Sequence, residues 1–417
     1  MVLTRDAGAD MFIEYLKKNV KHGSVKVYLP DGSMHRAGSG LPEAHWVFTD
    51  ASAIGRILRD PDLELGETYM DGCWHCEPGG LLVLLEVLTR NFQESKEQGF
   101  RRIAARLQKL LQLGNRITRS YRNVSHHYDI DEWVFRRFLD SGMFYSCAYF
   151  TQPEMTLEQA QLAKCELIAK KLMLKPGLRV LDIGCGWGGL AFYLAEHTGV
   201  RVTGVTLSKE QLRVARMESR RRKLEHLVQF ELQDYREHAG IYDRVVSVGM
   251  FEHVGARHFD TFFETVNAML SEDGIAVLHT IGETRRSRST NPWIRKYIFP
   301  GGYIPSLSEI SRSVEKGSLM TTDVEVLRLH YADTLAEWLN RFSSHRDEVA
   351  DRMGERFCRM WEFYLASTSA VFRWWDLVVF HVQLAKRHGV VPNSRDYLFD
   401  GRAIGVDSGS GRNITSQ

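Results

Sequence analysis

Residues Arg179 to Gly189 read R-V-L-D-I-G-C-G-W-G-G. An apolar run (Val180, Leu181, Ile183) meets glycines at alternating positions, Gly184, Gly186 and Gly188, and a helical pattern starts at Leu190. This order predicts a strand, a tight turn and a helix start, with bare main chain against which a ligand can lie. The spacing is neither the dinucleotide fingerprint G-x-G-x-x-G nor a P-loop, which would need Gly-Lys-Ser/Thr. The chemistry expected is binding of a nucleotide-like ligand of another kind. Two further reactive side chains, Glu252 and His279, fall near the ends of predicted strands. Taken singly, each has a plainer reading: a charge at a helix N-terminus and a satisfied core histidine. Cys73-Trp74-His75-Cys76 is a lone C-x-x-C with no second Cys/His pair nearby, so it reads as two ordinary thiols near a helix start and no metal site is expected. Cys147 shows no activating histidine in the sequence and reads as a packing or backbone position.

The elements that must hold these residues follow from patterning. At 417 residues the chain is long enough for two domains. Its net charge of +2 gives no global bias toward nucleic acid, and its six cysteines are scattered, as in a reducing cytoplasm. The N-terminus lacks an apolar signal core, and no window is apolar enough to span a membrane. Residues 1–95 read as a small α+β unit. It has a helix over Asp10–Asn19, strands at Ser24–Leu29 and Trp46–Phe48, a turn at Pro30–Ser33, and helices at Ala51–Asp60 and Leu81–Leu88. Leu65 to Gly72 lies between those two helices. This unit carries no catalytic constellation; lipid presentation, dimerisation and a structural role are all open to it.

Residues 96–124 form a basic amphipathic linker. From Gln98 to His127 there are Arg101, Arg102, Arg106, Lys109, Arg116, Arg119 and Arg122 and no acid. Such a segment suits an anionic membrane surface or a basic face turned to solvent. Residues 125–400 read as the catalytic domain. It opens with a helix over Leu157–Leu174, spaced by Leu162, Leu167, Ile168 and Leu172. Strands then alternate with helices: Val200–Val205, Lys209–Glu218, Leu227–Leu232, Tyr242–Val248, His258–Leu270 and Gly274–Ile281. That alternation implies a parallel sheet with ligands beyond the carboxyl ends of its strands. A strand (Val324–His330), a helix (Leu335–Phe342), an aromatic helix (Arg359–Phe372) and a last strand (Leu377–Leu384) follow. Residues 401–417 read as a flexible tail.

The form D-x-G-x-G-x-G resembles the first motif of Rossmann-like methyltransferases that bind S-adenosylmethionine. Six motifs in order, Y-S-C-A-Y-F, V-L-D-I-G-C-G-W-G-G, G-V-T-L-S-K-E-Q, F-E-H-V-G, F-P-G-G-Y-I-P-S and L-H-Y-A-D-T-L, resemble the cyclopropane-fatty-acyl-phospholipid synthase family. The resemblance is strong from Ser125 to Gly389 and looser before it. It implies a Rossmann-like methyltransferase fold with a mostly parallel seven-stranded sheet, preceded by the small N-terminal α+β domain. It also implies S-adenosylmethionine as methyl donor, a cis-unsaturated phospholipid acyl chain as acceptor, and bound bicarbonate as base. The cofactor-binding residues it implies are Tyr145, Ser146, Asp182, Gly184, Gly186, Gly188, Thr206, Leu207, Ser208, Gln211, Tyr235 and Arg236. The bicarbonate site it implies is Cys147, Glu252, His279, Tyr331 and Ile281, the last through its backbone. Thr206 stands where many methyltransferases carry an acid for the ribose, as is usual in this family. Thr368 stands where some members carry a cysteine, so no covalent cysteine role exists there.

The chemistry makes sense of that set. An alkene attacking a sulfonium methyl becomes a carbocation, which must be kept from water, flanked by π or negative groups, and deprotonated before a ring closes. Phe144, Tyr145, Tyr149, Phe150, Phe251, Phe299 and Tyr303 are aromatic candidates for such surroundings. His279 and Tyr331 can donate to bicarbonate, and Glu252 can accept its proton. The basic run Arg285, Arg286, Arg288, Arg295 and Lys296 before Phe299-Pro300-Gly301-Gly302-Tyr303 suits a lid meeting phosphate head groups. The expected partner is a phospholipid bilayer, touched peripherally at the cytoplasmic face, with a homodimer as a second candidate. Nucleic acid is disfavoured, because F-E-H-V replaces the N/D-P-P-Y/F motif after the fourth strand of the catalytic domain. The same cation losing another proton would give a methyl- or methylene-branched chain instead.

Overall fold

The computed structural model describes residues 5–77, 79–92, 131–285, 287 and 290–399, and within these the chain builds two sheets. The first has four strands in the order β2-β1-β3-β4: β1 (Gly23–Tyr28), β2 (Met34–Ser39), β3 (Glu43–Phe48) and β4 (Trp74–Cys76). The expected turn is there. Asp31 accepts a 2.8 Å hydrogen bond from Ser33 N–H, Gly32 takes φ 87°, and β1 runs antiparallel to β2. β2 was hidden in the sequence because M-H-R-A-G-S buries only Ala37 and so shows no alternation. The C-x-x-C thiols lie at β4, paired with β3, and the helix Gly80–Asn91 starts shortly after Cys76. Helices Arg5–Asn19, Ser52–Arg59, Pro61–Met70 and Gly80–Asn91 complete this unit.

The stretch Leu65–Gly72, between the helices Ser52–Arg59 and Gly80–Asn91, belongs to an element of its own. Most of it is helix, begun by Pro61 at its first turn, where a proline loses no hydrogen bond. Gly66 has ordinary helical φ but no room: a Cβ there would lie 2.6 Å from Trp293 Cδ1 and 2.8 Å from Phe363 Cε1. The glycine is present so that this helix can press against the catalytic domain.

The second sheet has seven strands: β5 (Arg179–Ile183), β6 (Arg201–Thr206), β7 (Val228–Leu232), β8 (Tyr242–Val248), β9 (Leu270–Glu283), β10 (Met320–Leu327) and β11 (Leu377–Ala385), in the order β10-β11-β9-β8-β5-β6-β7. All run parallel except β11, which is antiparallel to both neighbours. The chain leaves β5 for β6 on one side and returns as β8 on the other, so the crevice at the carboxyl ends of β5 and β8 is the topological switch point. The mostly parallel seven-stranded sheet that the motifs implied is present.

The helix Leu157–Lys171 starts at a capping box between Thr156 and Gln159. Its inward stripe differs from the one the leucines suggested. Leu162 is 49% exposed, whereas Lys164 and Lys171 are buried beside Leu157, Ala160 and Ile168. The helices His330–Ser344 and Glu355–Trp374 pack on each other, and the second also meets the helices Pro61–Met70 and Gly80–Asn91. One apolar core therefore joins Trp46, Trp74 and Leu84 of the first unit to Trp361, Phe363 and Tyr331 of the second. The basic linker 96–124 and the tail 401–417 lie outside the described residues.

The expected lid is tied down. Its short helix Pro292–Tyr297 is pinned by Glu67, which receives Lys296 Nζ at 2.5 Å and Tyr297 Oη at 2.9 Å. Arg285 pairs with Asp376 at 3.3 Å. Two of the basic side chains assigned to head groups thus have partners within the protein; Arg286 and Arg288 lie outside the described residues.

Candidate active site

At the end of β5 the glycine turn does what its sequence promised. Gly184 and Gly186 take φ 82° and 56°, in the left-handed region that side chains avoid. A Cβ at Gly184 would strike Met250 at 2.6 Å, while one at Gly186 would meet nothing within 4 Å. Gly186 therefore bares main chain to open space, where a ligand can approach. The surrounding cleft holds about 1170 Å³ with its open mouth included. Tyr145, Ser146, Asp182, Gly184, Gly186, Thr206, Leu207, Gln211, Tyr235 and Arg236 all line it. Gly188 and Ser208 do not; they build the walls. Gly188 packs where a Cβ would lie 2.7 Å from Phe230 Cζ, and Ser208 caps the helix Lys209–Arg221 by accepting from Gln211 N–H at 3.2 Å.

The polar groups around the cleft fit a charged amino-acid-bearing nucleoside. Asp182 is buried with Oδ2 unpartnered among the described residues, and desolvation pushes its pKa up to about 7 despite the nearby Lys164. An incoming ammonium or sulfonium would return that carboxyl to its charged form. Arg236 is held against buried Asp234 at 2.6 Å, fixing the far wall beside Tyr235. Thr206 Oγ1 donates to Gln211 Oε1 at 2.8 Å and accepts from Ser208 N–H, so no acid stands at the end of β6.

Glu252 lies on the short turn Phe251–His253 after β8. β8 stops at Val248 while β9 runs on to Glu283, which leaves Ile281 N–H without a strand partner on that side. Glu252 Oε1 fills the gap at 2.6 Å. Its Oε2 is buried and has no hydrogen bond within standard geometry among the described residues, and desolvation lifts the carboxyl to about 7 against the lowering effects of Ile281 N–H, its own backbone N–H and the nearby Thr280 hydroxyl. At neutral pH this group can therefore present either a lone pair or an O–H from Oε2. Glu252 thus engages Ile281 N–H, while the Ile281 carbonyl accepts from Thr280 Oγ1 at 3.1 Å. His279 points from the same face of β9, and burial lowers its pKa to about 3, so it is a neutral imidazole. Cys147, Tyr331 and Ile281 share one core cluster. Cys147 is fully buried, donates to Ala148 O at 3.2 Å, and has its thiol pKa raised by burial, which leaves it inert as a nucleophile. Its neighbour Ala148 N–H donates to Thr334 Oγ1 at 3.0 Å, fixing this backbone to the helix that carries Tyr331.

The proposed aromatic surroundings divide. Phe251 and Tyr303 belong to the core under the opposite face of the sheet, with Phe259 and Phe262. Tyr145, by contrast, stacks on Trp338 at 5.1 Å and hydrogen-bonds Tyr364 Oη at 2.8 Å. Tyr331 meets Trp338 edge-on at 5.9 Å and lies 4.8 Å from Phe372. Trp338 lies on the helix that carries Tyr331, and Phe372 on the helix Glu355–Trp374.

Two buried residues escaped the sequence reading. Lys164 donates to Ser146 Oγ at 3.0 Å and to Gln161 Oε1 at 2.7 Å, lies 4.0 Å from the centre of the Phe144 ring, and lines the cleft. It leaves the Ser146 hydroxyl proton free to donate into the cleft. A lysine on the apolar stripe of a helix was its available signal. His381 on β11 bonds His279 and had no signal beyond lying in a predicted strand.

Comparison with known proteins places this geometry. The family described as mycolic acid cyclopropane synthetase matches residues 115–382. Cyclopropane-fatty-acyl-phospholipid synthase of Escherichia coli (strain K12) is 39% identical over 376 residues, covering 87% of this chain and 96% of that protein. Tuberculostearic acid methyltransferase UfaA1 of Mycobacterium tuberculosis is 33% identical over 383 residues, 88% of this chain and 89% of that one. The crystal structure of mycolic acid cyclopropane synthase CmaA1 complexed with SAH and CTAB superposes with a TM-score of 0.60 at 32% identity, over 63% of this chain and 97% of that one.

Proposed function

Because the chain belongs to the mycolic acid cyclopropane synthetase family and is an S-adenosylmethionine-dependent methyltransferase, we propose that it adds a methylene across the cis double bond of unsaturated acyl chains in membrane phospholipids. Bound S-adenosylmethionine would supply the electrophilic methyl group, and bicarbonate, held at Glu252, His279, Tyr331, the Ile281 backbone and the Cys147 region, would supply the base. The observation that carries this reading is the buried Glu252 carboxyl, anchored through Oε1 with Oε2 unspent. An apolar substrate offers that oxygen nothing, whereas a small anion bearing an O–H completes it. One proton shared between Glu252 and the anion removes the repulsion that two full negative charges would suffer. Around this polar spot Tyr145, Trp338, Tyr331 and Phe372 pack together to keep water from a developing cation, which a π face would stabilise. The lipid is reached from a bilayer surface, favoured by the basic charges between Gln98 and His127, each worth ~1 kcal/mol near anionic lipid. Among the described residues no helix is long and apolar enough to cross a membrane.

The test is mass spectrometry of cis-unsaturated phospholipid vesicles incubated with the protein and methyl-labelled S-adenosylmethionine. A gain of one CH₂ with no reducible double bond is expected, and activity should fall in bicarbonate-free buffer and return on its addition. Indifference to bicarbonate would remove the anion from the reaction. The similarity to a tuberculostearic acid methyltransferase supports a second reading, in which the same cation loses another proton and a branched chain results. A product that remains reducible would establish it.

A further inference from the structure

β9 and β11 run antiparallel in a register that sets His279 opposite His381. His279 C=O accepts from Gly249 N–H at 2.9 Å, toward β8. Its backbone polar groups therefore face away from β11, and the two histidines form a non-hydrogen-bonded pair, the kind in which side chains approach most closely. Their ring centres are 4.7 Å apart, and His279 Nδ1 lies 2.7 Å from His381 Nε2. Both residues are buried. Lys164 and Lys171 add positive charge toward both, and His330 toward His381, so burial and surroundings keep each ring neutral with a single proton.

One proton lies in the bond between the rings, and its owner decides the tautomer of both. If His279 donated from Nδ1, the proton of His381 would have to sit on Nδ1, a buried atom with no partner among the described residues. A buried N–H without an acceptor is the rarer and costlier orphan. If His381 donates from Nε2, the orphan is only a lone pair, and the proton of His279 must sit on Nε2. We propose that His381 is a positioning residue: its Nε2–H holds His279 Nδ1 and so fixes His279 as the Nε2–H tautomer, a hydrogen-bond donor for the bound anion. The role of His279 toward that anion rests on the function proposed above; the tautomer assignment does not.

The experiment compares wild type, His381→Gln and His381→Leu. A glutamine amide can still donate to His279 Nδ1, and a leucine cannot. Long-range ¹⁵N NMR of histidine-labelled protein should show His279 protonated at Nε2 in wild type and in the Gln variant, with that preference lost in the Leu variant. Turnover should fall roughly 10–100-fold in the Leu variant, by analogy with partners behind metal-ligating histidines, and stay within about 3-fold of wild type in the Gln variant. Binding of S-adenosylmethionine should be unchanged in both. A His279 protonated at Nδ1 in wild type, or a Gln variant as impaired as the Leu variant, would overturn the proposal. If the NMR result holds but turnover ignores bicarbonate, the tautomer assignment stands and the anion reading falls.

Discussion

Replacing Glu252 by glutamine should stabilise the protein in alkaline solution while removing its activity. The carboxyl is buried, and its pKa rises from an ordinary 4.5 to about 7. A carboxyl raised in the folded state favours folding only while protonated. That contribution is complete below 4.5 and is lost as the pH climbs through 7. At ~1.4 kcal/mol per pH unit, the gap between those values makes the ionised group ~3 kcal/mol less favourable in the folded protein. Glutamine keeps an oxygen for Ile281 N–H and never ionises. Its NH₂ takes the place of the unpartnered Oε2, at a cost that does not vary with pH. The stability difference between the two proteins should therefore move toward the variant by ~2–3 kcal/mol between about pH 5 and about pH 8.5. With an unfolding entropy of ~2 cal/mol/K per residue over 417 residues, this amounts to about 3 °C in Tm. Calorimetric scans of both proteins without cofactor, across that range, measure it. The same variant should lose ~10²–10⁴-fold in turnover with cofactor affinity intact. A Tm difference that does not change with pH would mean that Glu252 is not desolvated as described, and the argument for an O–H-bearing anion beside it would fall.

Two further outcomes follow from the packing. Cys147→Ala should retain turnover within about 10-fold of wild type, measured on vesicles, because the buried thiol is neither ionised nor needed as a nucleophile; complete loss would assign the sulfur a chemical role. Gly66→Ala should lower stability by ~1–3 kcal/mol in urea titrations and shift tryptophan emission, because its methyl group drives into Trp293 and Phe363; an unchanged midpoint would mean the two domains are not pressed together at that helix.

Much of the catalytic sheet was legible because parallel strands buried on both faces show as apolar runs, and turn residues bound them. Arg179–Gly189 specified strand, turn and ligand cradle within eleven residues, since glycine can take φ above zero without strain and leaves its main chain bare. The ordered motifs likewise fixed the family. What stayed hidden depends on contacts between distant segments. Lys164 and Lys171 occupy a stripe that apolar periodicity assigns to leucine, because burial of a lysine is decided by the partners that reach it: Ser146 and Gln161 for one, Asp323 and Glu325 for the other. The short helix after Asn291 reads as a free basic lid until Glu67, from the far end of the chain, claims Lys296 and Tyr297.

The sequence alone determined the cofactor cradle, the strand order's raw material and the residue types available for deprotonation. Only the tertiary structure decided the state in which those residues work. Glu252 became a poised acid because β8 ends before β9 and leaves Ile281 N–H for it to hold in a dry site. His279 gained a fixed neighbour because β11 folds back antiparallel in a register set by contacts more than a hundred residues away. Protonation states and hydrogen-bond partners are properties of the surroundings, and those surroundings exist only once the chain has folded.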